Sequence, residues 1–321
     1  MIKKNKLLIS FFLLASCLKS VDMSPLPPED LKTKIENNIA PVRIDKNFLS
    51  QQLIFFCPEG MANIENQFCI DQYEASIIDK TTGEHASPHY IPSQAGFHDS
   101  DWQFETFKKM GPIPMPPRGA EQYPHFEPLA VSVPDKIPAT YVTKIVAEQA
   151  CSNAGKRLCT RKEWYQACVG PQGPFPYFNK KGKEIYPEVY PYGLTYEKGK
   201  CNTNLHLNLW PPGLLGRKNN QEMLDPRISA LLDKDGLTMK QATDYFLGCT
   251  NQYGVYNQVG NVHEIVSDIR IATKFPRERV TFVGSHYARS ARESCAEATT
   301  DHWQYYTDYS VGFRCCGNIQ H

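Results

Sequence analysis

Hydrophobic and polar positions follow two local rhythms along this chain, separated by long stretches that follow neither. Val142, Ile145, Val146 and Ala150 recur at the spacing of one helix face, and Gly155 stands where a left-handed residue would close that helix. Thr160 with Glu163 three residues later is a capping box, whose hydroxyl and carboxylate satisfy free backbone N–H groups. It predicts a second helix carrying Trp164, Ala167 and Cys168, so Cys151 and Cys168 fall on consecutive helices. Short β-rich runs, RVTFVG at 279–284 and YSVGFRCC at 309–316, are set off by turn residues. From about 79 to 137 the chain is rich in Pro, Gly and His, MGPIPMPPRG included, with no sustained period of 2 or 3.6. That stretch is expected to be a long irregular insertion. Strands, then helices, then loops and strands predict an α+β fold with much irregular chain, and no internal repeat is present.

The N-terminal pattern is different. Lys3, Lys4 and Lys6 precede an apolar run at 7–15 that is too short to span a bilayer, the form of a secretory targeting segment. It ends at LASC, 14–17, which resembles a bacterial lipobox and makes Cys17 the lipidated N-terminus of the mature chain. The alternative is an ordinary signal peptide with an incidental cysteine. SPLPPEDLKTKIENN, 24–38, has the proline-rich and then charged composition of a tether. The expected organisation is a signal peptide at 1–16, a lipidated Cys and tether at 17–50, and one domain at 51–321. Leu18 supplies no aspartate retention signal, so the expected location is the bacterial cell envelope, at the outer membrane where there are two membranes.

Composition narrows the function classes. With 41% hydrophobic residues and a net charge of +1, the chain is neither a disordered polymer nor an electrostatic nucleic-acid binder. Setting Cys17 aside leaves ten of the eleven cysteines, an even number in a chain directed to an oxidising compartment. No C-x2-C knuckle of the kind zinc prefers occurs among them. No G-x-S-x-G, phosphate loop or zinc-protease motif is present, so hydrolase and nucleotide-binding readings have no support.

Several motifs then occur in a telling order: CPEGMANIENQFCIDQYEAS (57–76), AGKRLCTRKEWYQAC (154–168), YPYG (190–193), YGVYNQVGNVHEIVSD (253–268), VGSHYARSARE (283–293) and VGFRCC (311–316). Together they resemble the successive signatures of the formylglycine-generating enzyme, or sulfatase-modifying factor, family. The resemblance covers about 57 to 316, outside the insertion and the stretch 204–247. It implies an irregular, disulfide-rich α+β domain related to the C-type lectin fold. In catalytic members, two cysteines on the segment matching GSHYARSARESC bind copper and help dioxygen oxidise a substrate cysteine to formylglycine. Here no cysteine lies between Gly284 and Ser294, and the two positions fall on Ala, Ser or Glu. Without soft thiolates, copper(I) is not an expected cofactor.

The resemblance also implies disulfides joining Cys168 to Cys295 and Cys151 to Cys315. Adjacent strand residues point to opposite faces, so Cys316 needs a different partner, for which Cys159 is the candidate. Cys57 with Cys69 and Cys201 with Cys249 complete five expected pairs. The NQVGNVHE turn is similar to a calcium loop of the family, with a carboxylate from Glu264 and backbone carbonyls from Asn257, Gly260 and Val262. A second calcium site would begin near Asn202, with Asp233, Asp235 or neither as its acid. The alternative for Glu264 is a buried acceptor for turn N–H groups that needs no metal.

His263 stands where this motif usually has Trp. A non-haem iron site would need His263, His286 and His302 to converge, but the H-x3-H-x-E helix motif of iron-binding relatives is absent. Arg289 and Arg292 suit either an anionic ligand or, more ordinarily, loop carbonyls. HWQYYTDY, 302–309, suits either a groove that stacks on a sugar or peptide, or the core. The expectation is a lipid-anchored envelope protein whose domain is a non-catalytic binding or structural module for a protein, peptide or glycan. A divergent metal-dependent oxidoreductase is the alternative, favoured if His263, His286 and a carboxylate meet around a pocket.

Overall fold

Two four-stranded sheets and two short helices organise the chain in the computed structural model, which describes residues 56–89, 126–203, 242–243, 245–271, 278–288 and 293–320. All of them lie in one unit, Ile54–His321. Cys17, the tether, most of the 79–137 insertion, Asp233, Asp235, Arg289 and Arg292 lie outside the described residues. No described helix is long and apolar enough to cross a membrane.

The first sheet has the order β1 (Met61–Ile64), β2 (Phe68–Asp71), β12 (Cys315–Gly317), β5 (Arg157–Leu158), all antiparallel. The second runs β10 (Ala298–Trp303), β9 (Glu278–Val283), β8 (His263–Ile271), β11 (Val311–Phe313), with β11 parallel to β8. β3 (Ser76–Asp79) pairs with β4 (Pro128–Val131), and β6 (Tyr177–Phe178) pairs with β7 (Glu184–Ile185). The run VGFRCC is therefore broken at Arg314, with each half in a different sheet.

Both expected helices are present. Thr143 caps α1 (Lys144–Asn153) by accepting from the Val146 amide, and Gly155, with φ of 70°, follows its end. Val142 lies before the first turn rather than within it, because the Thr143 hydroxyl captures the free amide and starts the helix there. The capping box of α2 (Arg161–Val169) is complete: Glu163 N–H donates to Thr160 Oγ1 at 3.2 Å, and Thr160 N–H to Glu163 Oε2 at 2.9 Å. At its other end, Asn251 Nδ2 donates to the Ala167 and Cys168 carbonyls at 2.5 and 3.0 Å.

Strand alternation divides the interior into two cores. Ile265, Phe282 and Cys315 face one, with Val142, Val146 and Phe313. Their neighbours Val266, Val283 and Cys316 face the other, with Ile64, Ile70, Trp164 and Tyr165. Successive side chains on opposite faces are the cause. The same alternation sorts the last two cysteines: Cys315 bonds Cys151 of α1, and Cys316 bonds Cys159. Cys57–Cys69, Cys168–Cys295 and Cys201–Cys249 bring these two to the five expected disulfides. Both cores and all five disulfides close within Ile54–His321. Cys168–Cys295 spans 127 residues, so cross-linking removes much freedom from the unfolded chain. The double substitution Cys168→Ser, Cys295→Ser is expected to lower stability by roughly 2 to 4 kcal/mol, read as a fall in the thermal midpoint of the oxidised protein.

Candidate functional site

The motifs of the C-terminal half meet around one buried ion pair. Arg314, fully buried between β11 and β12, donates from Nε and Nη2 to the two oxygens of Glu264 at 2.6 Å each. Trp164 Nε1 donates to the same carboxylate at 2.6 Å. The rest of the guanidinium reaches the carbonyls of Tyr256 at 2.7 Å, Asp71 at 3.0 Å and Gln72 at 3.3 Å. Burial opposes the charge on Arg314, but Glu264, Glu74 and Asp71 outweigh it and hold the guanidinium protonated.

Beside the pair lies Glu74, also buried, which accepts from Asn261 Nδ2 at 2.7 Å, Val262 N–H at 3.2 Å and Asn257 Nδ2 at 3.3 Å. Burial first, and then the nearby Glu264 charge, push its carboxyl up to about 8. The loop it holds turns through left-handed residues, Asn257 and Asn261 at φ of 56° and Gly260 at 81°. A Cβ on Gly260 would stand 2.3 Å from the Asn202 carbonyl, so only glycine allows that approach. Asn261 N–H donates to that carbonyl, and Asn202 Nδ2 to Asn261 Oδ1, both at 2.9 Å.

This geometry tests the calcium reading. Asn257, Gly260, Val262, Glu264 and Asn202 do come together in one loop cluster. Both Glu264 oxygens, however, are taken by cationic and neutral N–H donors, and a guanidinium stands where the cation's charge would be needed. Asn257 Oδ1 and Gln258 Oε1 are buried in this loop without a hydrogen-bond partner, but amide and backbone carbonyl oxygens are uncharged, and with both Glu264 oxygens occupied that set offers calcium no carboxylate. Glu264 does not fit as its carboxylate ligand. It is a buried acceptor whose donors are the Trp164 and Arg314 side chains.

The segment from Gly284 packs against the same loop. Gly260 N–H donates to the Gly284 carbonyl at 2.8 Å, and a Cβ on Gly284 would meet the Gln258 carbonyl at 2.3 Å and Trp164 at 2.8 Å. The rings of His263 and His286 lie 4.8 Å apart, with Tyr287 and Tyr309 5.7 and 5.6 Å from His286. His302 is on the far side of Phe282, stacked on Tyr306 at 3.6 Å, so the three histidines do not converge. Tyr306 Oη donates to Asp308 Oδ2 at 2.7 Å, and burial followed by the Asp308 charge pushes that phenol upward. Tyr309 belongs to the core and His302 to Tyr305 are half-buried, so HWQYYTDY is mostly packing. Among the described residues, no three His, Cys, Asp or Glu side chains stand together as a metal site.

Comparison with known proteins decides the family. The model of the sulfatase-modifying factor enzyme 1-like domain matches residues 60–319. The chain belongs to the sulfatase-modifying factor family. No match was found among curated proteins. Among solved structures, PvdO from Pseudomonas aeruginosa is 17% identical, with 78% of this chain and 80% of that one covered and a TM-score of 0.38. The Major Tropism Determinant P3c variant is 11% identical, covering 83% and 54%, with a TM-score of 0.38. CarF is 27% identical over 22% of this chain and only 26% of its own length, with a TM-score of 0.20.

In this sulfatase-modifying factor domain, Cys295 is bonded to Cys168, and Ala288 stands within the segment where resemblance places the copper-binding thiols. Away from that segment, a groove of about 600 Å³ opens at the end of α2, between Pro174, Tyr190, Tyr192, Lys200 and Asn251. Tyr190 and Tyr192 stack on each other at 5.5 Å, and the Lys200 ammonium lies 5.9 Å over the Tyr192 ring. Sequence reasoning overlooked Arg314, Glu74 and Trp164 as site residues, although each lies inside a quoted motif; a charge flanked by apolar residues, as in GFRC, was the available signal.

Two outcomes follow for the brace. Arg314→Met leaves Glu264 buried without its cation and is expected to cost about 3 to 5 kcal/mol, measured by denaturant unfolding. Glu74 titrates near 4.5 when unfolded and near 8 when folded. The unfolded chain therefore releases its proton first, and stability falls as pH rises through that window, then levels off. Thermal midpoints across the window should show a steeper decline for the native protein than for Glu74→Gln.

Proposed function

We propose that this sulfatase-modifying factor domain is a lipid-anchored binding module of the bacterial envelope, not a copper oxidase. The observation that carries the reading is that all ten cysteines following Cys17 are joined in five disulfides. A sulfur held in a disulfide has no thiolate to offer copper(I). The Cys17 anchor, the tether and an outer-membrane location rest on the N-terminal motif. The groove at Tyr190 and Tyr192 suits a protein, peptide or glycan ligand, since aromatic faces and a few polar groups are the ordinary lining of a binding site.

The alternative, a divergent metal-dependent oxidoreductase, asks for His263, His286 and a carboxylate around one pocket. The two imidazoles meet, but no carboxylate among the described residues joins them. Thiol titration of the native, unreduced, lipidated chain tests the main reading and is expected to find no free sulfhydryl. Two thiols that vanish on adding copper(I), or stoichiometric copper or iron in the purified protein, would overturn it.

A further inference from the structure

Among the described residues β6 pairs only with β7, so this hairpin belongs to neither large sheet. Its base is fixed: Tyr186, just after β7, packs edge-on against Tyr165 at 5.0 Å, and the Arg161 guanidinium lies over the Tyr186 ring, 4.0 Å from its centre. Its tip is ordered as well. Asn179 Oδ1 accepts from the Lys181 and Lys183 amides at 2.9 and 3.0 Å, and Gly182 N–H donates to the Asn179 carbonyl at 2.9 Å. Gly182 supplies the left-handed φ of 70° that this turn needs.

What this rigid finger presents is unusual for a surface facing only water. Phe175 is 70% exposed, Phe178 71% and Tyr177 55%, and Lys180, Lys181 and Lys183 follow at the exposed tip. Leu194, which lines the neighbouring groove, is 75% exposed, and Leu247, one residue from groove-lining Gly248, is 69% exposed. Residues 170–203 carry five lysines against three glutamates and no aspartate or arginine. Side chains that protrude singly from loop and hairpin tips are poorly suited to seat a compact ligand. Apolar and aromatic tips ringed by lysine are what an anionic bilayer surface accepts: rings enter the headgroup boundary, while lysines pair with phosphates.

We propose that the β6–β7 hairpin, with Leu194 and Leu247 beside it, is a docking element for anionic phospholipid surfaces. The inference rests on the reading that Cys17 keeps the protein at a membrane, but it assigns a separate contact made by the folded domain.

The test uses residues 51–321, which contain both cores and all five disulfides and carry no lipid, in co-sedimentation with vesicles. Vesicles of equal parts phosphatidylglycerol and phosphatidylcholine should take up the domain at least about tenfold better than phosphatidylcholine alone, and added salt should weaken uptake. Phe175→Ser with Phe178→Ser, and separately Lys180→Ser with Lys181→Ser, should each reduce partitioning about tenfold. Both pairs are exposed, so circular dichroism should be unchanged. Equal uptake by the two vesicle types, no uptake by either, or undiminished uptake by both variants would overturn the proposal. So would a glutamate-rich peptide binding the hairpin while vesicles do not, which would assign the surface to an acidic protein. None of these failures touches the anchor reading, because Cys17 is absent; that is read separately from the mass of the mature N-terminal peptide.

Discussion

The Arg314–Glu264 pair is the interaction on which the rest of the described structure depends. It ties the start of β8 to the junction between β11 and β12, and through Trp164 it reaches α2. The remaining guanidinium donors fix the backbone at 71–72 and 256. A charge buried this completely is tolerated only because every donor finds an acceptor and the counter-charge is in contact. The site can therefore tolerate little change in either partner. Glu74 adds a second buried carboxyl, whose ionisation burial and the Glu264 charge oppose, and it holds the 257–262 loop through three N–H donors.

Around that brace the domain is irregular. Among the described residues the helices are of ten and nine residues and many strands are of two to four, too little regular structure to hold the loops between them by ladder hydrogen bonds alone. Disulfides supply what is missing. Cys151–Cys315 and Cys159–Cys316 bind the two faces of β12 to the chain on either side, and Cys168–Cys295 binds the end of α2 to the segment after Gly284. The same use of sulfur for cross-linking removes it from chemistry. A sulfatase-modifying factor scaffold is in this way compatible with a binding role, because function resides in the site and not in the fold.

Among the described residues, the groove and the β6–β7 hairpin lie together by chain connection. The groove walls at Pro174 and Leu194 lead directly into the exposed residues of the hairpin and the 194 loop. Neither uses the buried brace, which positions α2 and hence the groove without taking part in contact.

Much of this was legible in order along the chain. The Thr160–Glu163 capping box set the start of α2, since a cap is a local hydrogen-bond exchange, and adjacent cysteines on a strand had to face apart. The motif order gave the family, and the cysteine count gave complete pairing. Other features were not local. Nothing near Glu264 in sequence reveals that its partner is fifty residues away in Arg314, or that Glu74 lies against the same loop from the first part of the domain. Periodicity placed Val142 within α1, whereas the Thr143 cap begins the helix after it. His263, His286 and His302 looked equivalent as a list of ligands until packing put Phe282 between the first pair and the third. The sequence by itself determined what depends on neighbours along the chain: caps, alternation, and the number of sulfurs available. Only the tertiary structure decided which buried charges meet, because the strength of a buried ion pair depends on distance and desolvation, and neither is recorded in the order of residues.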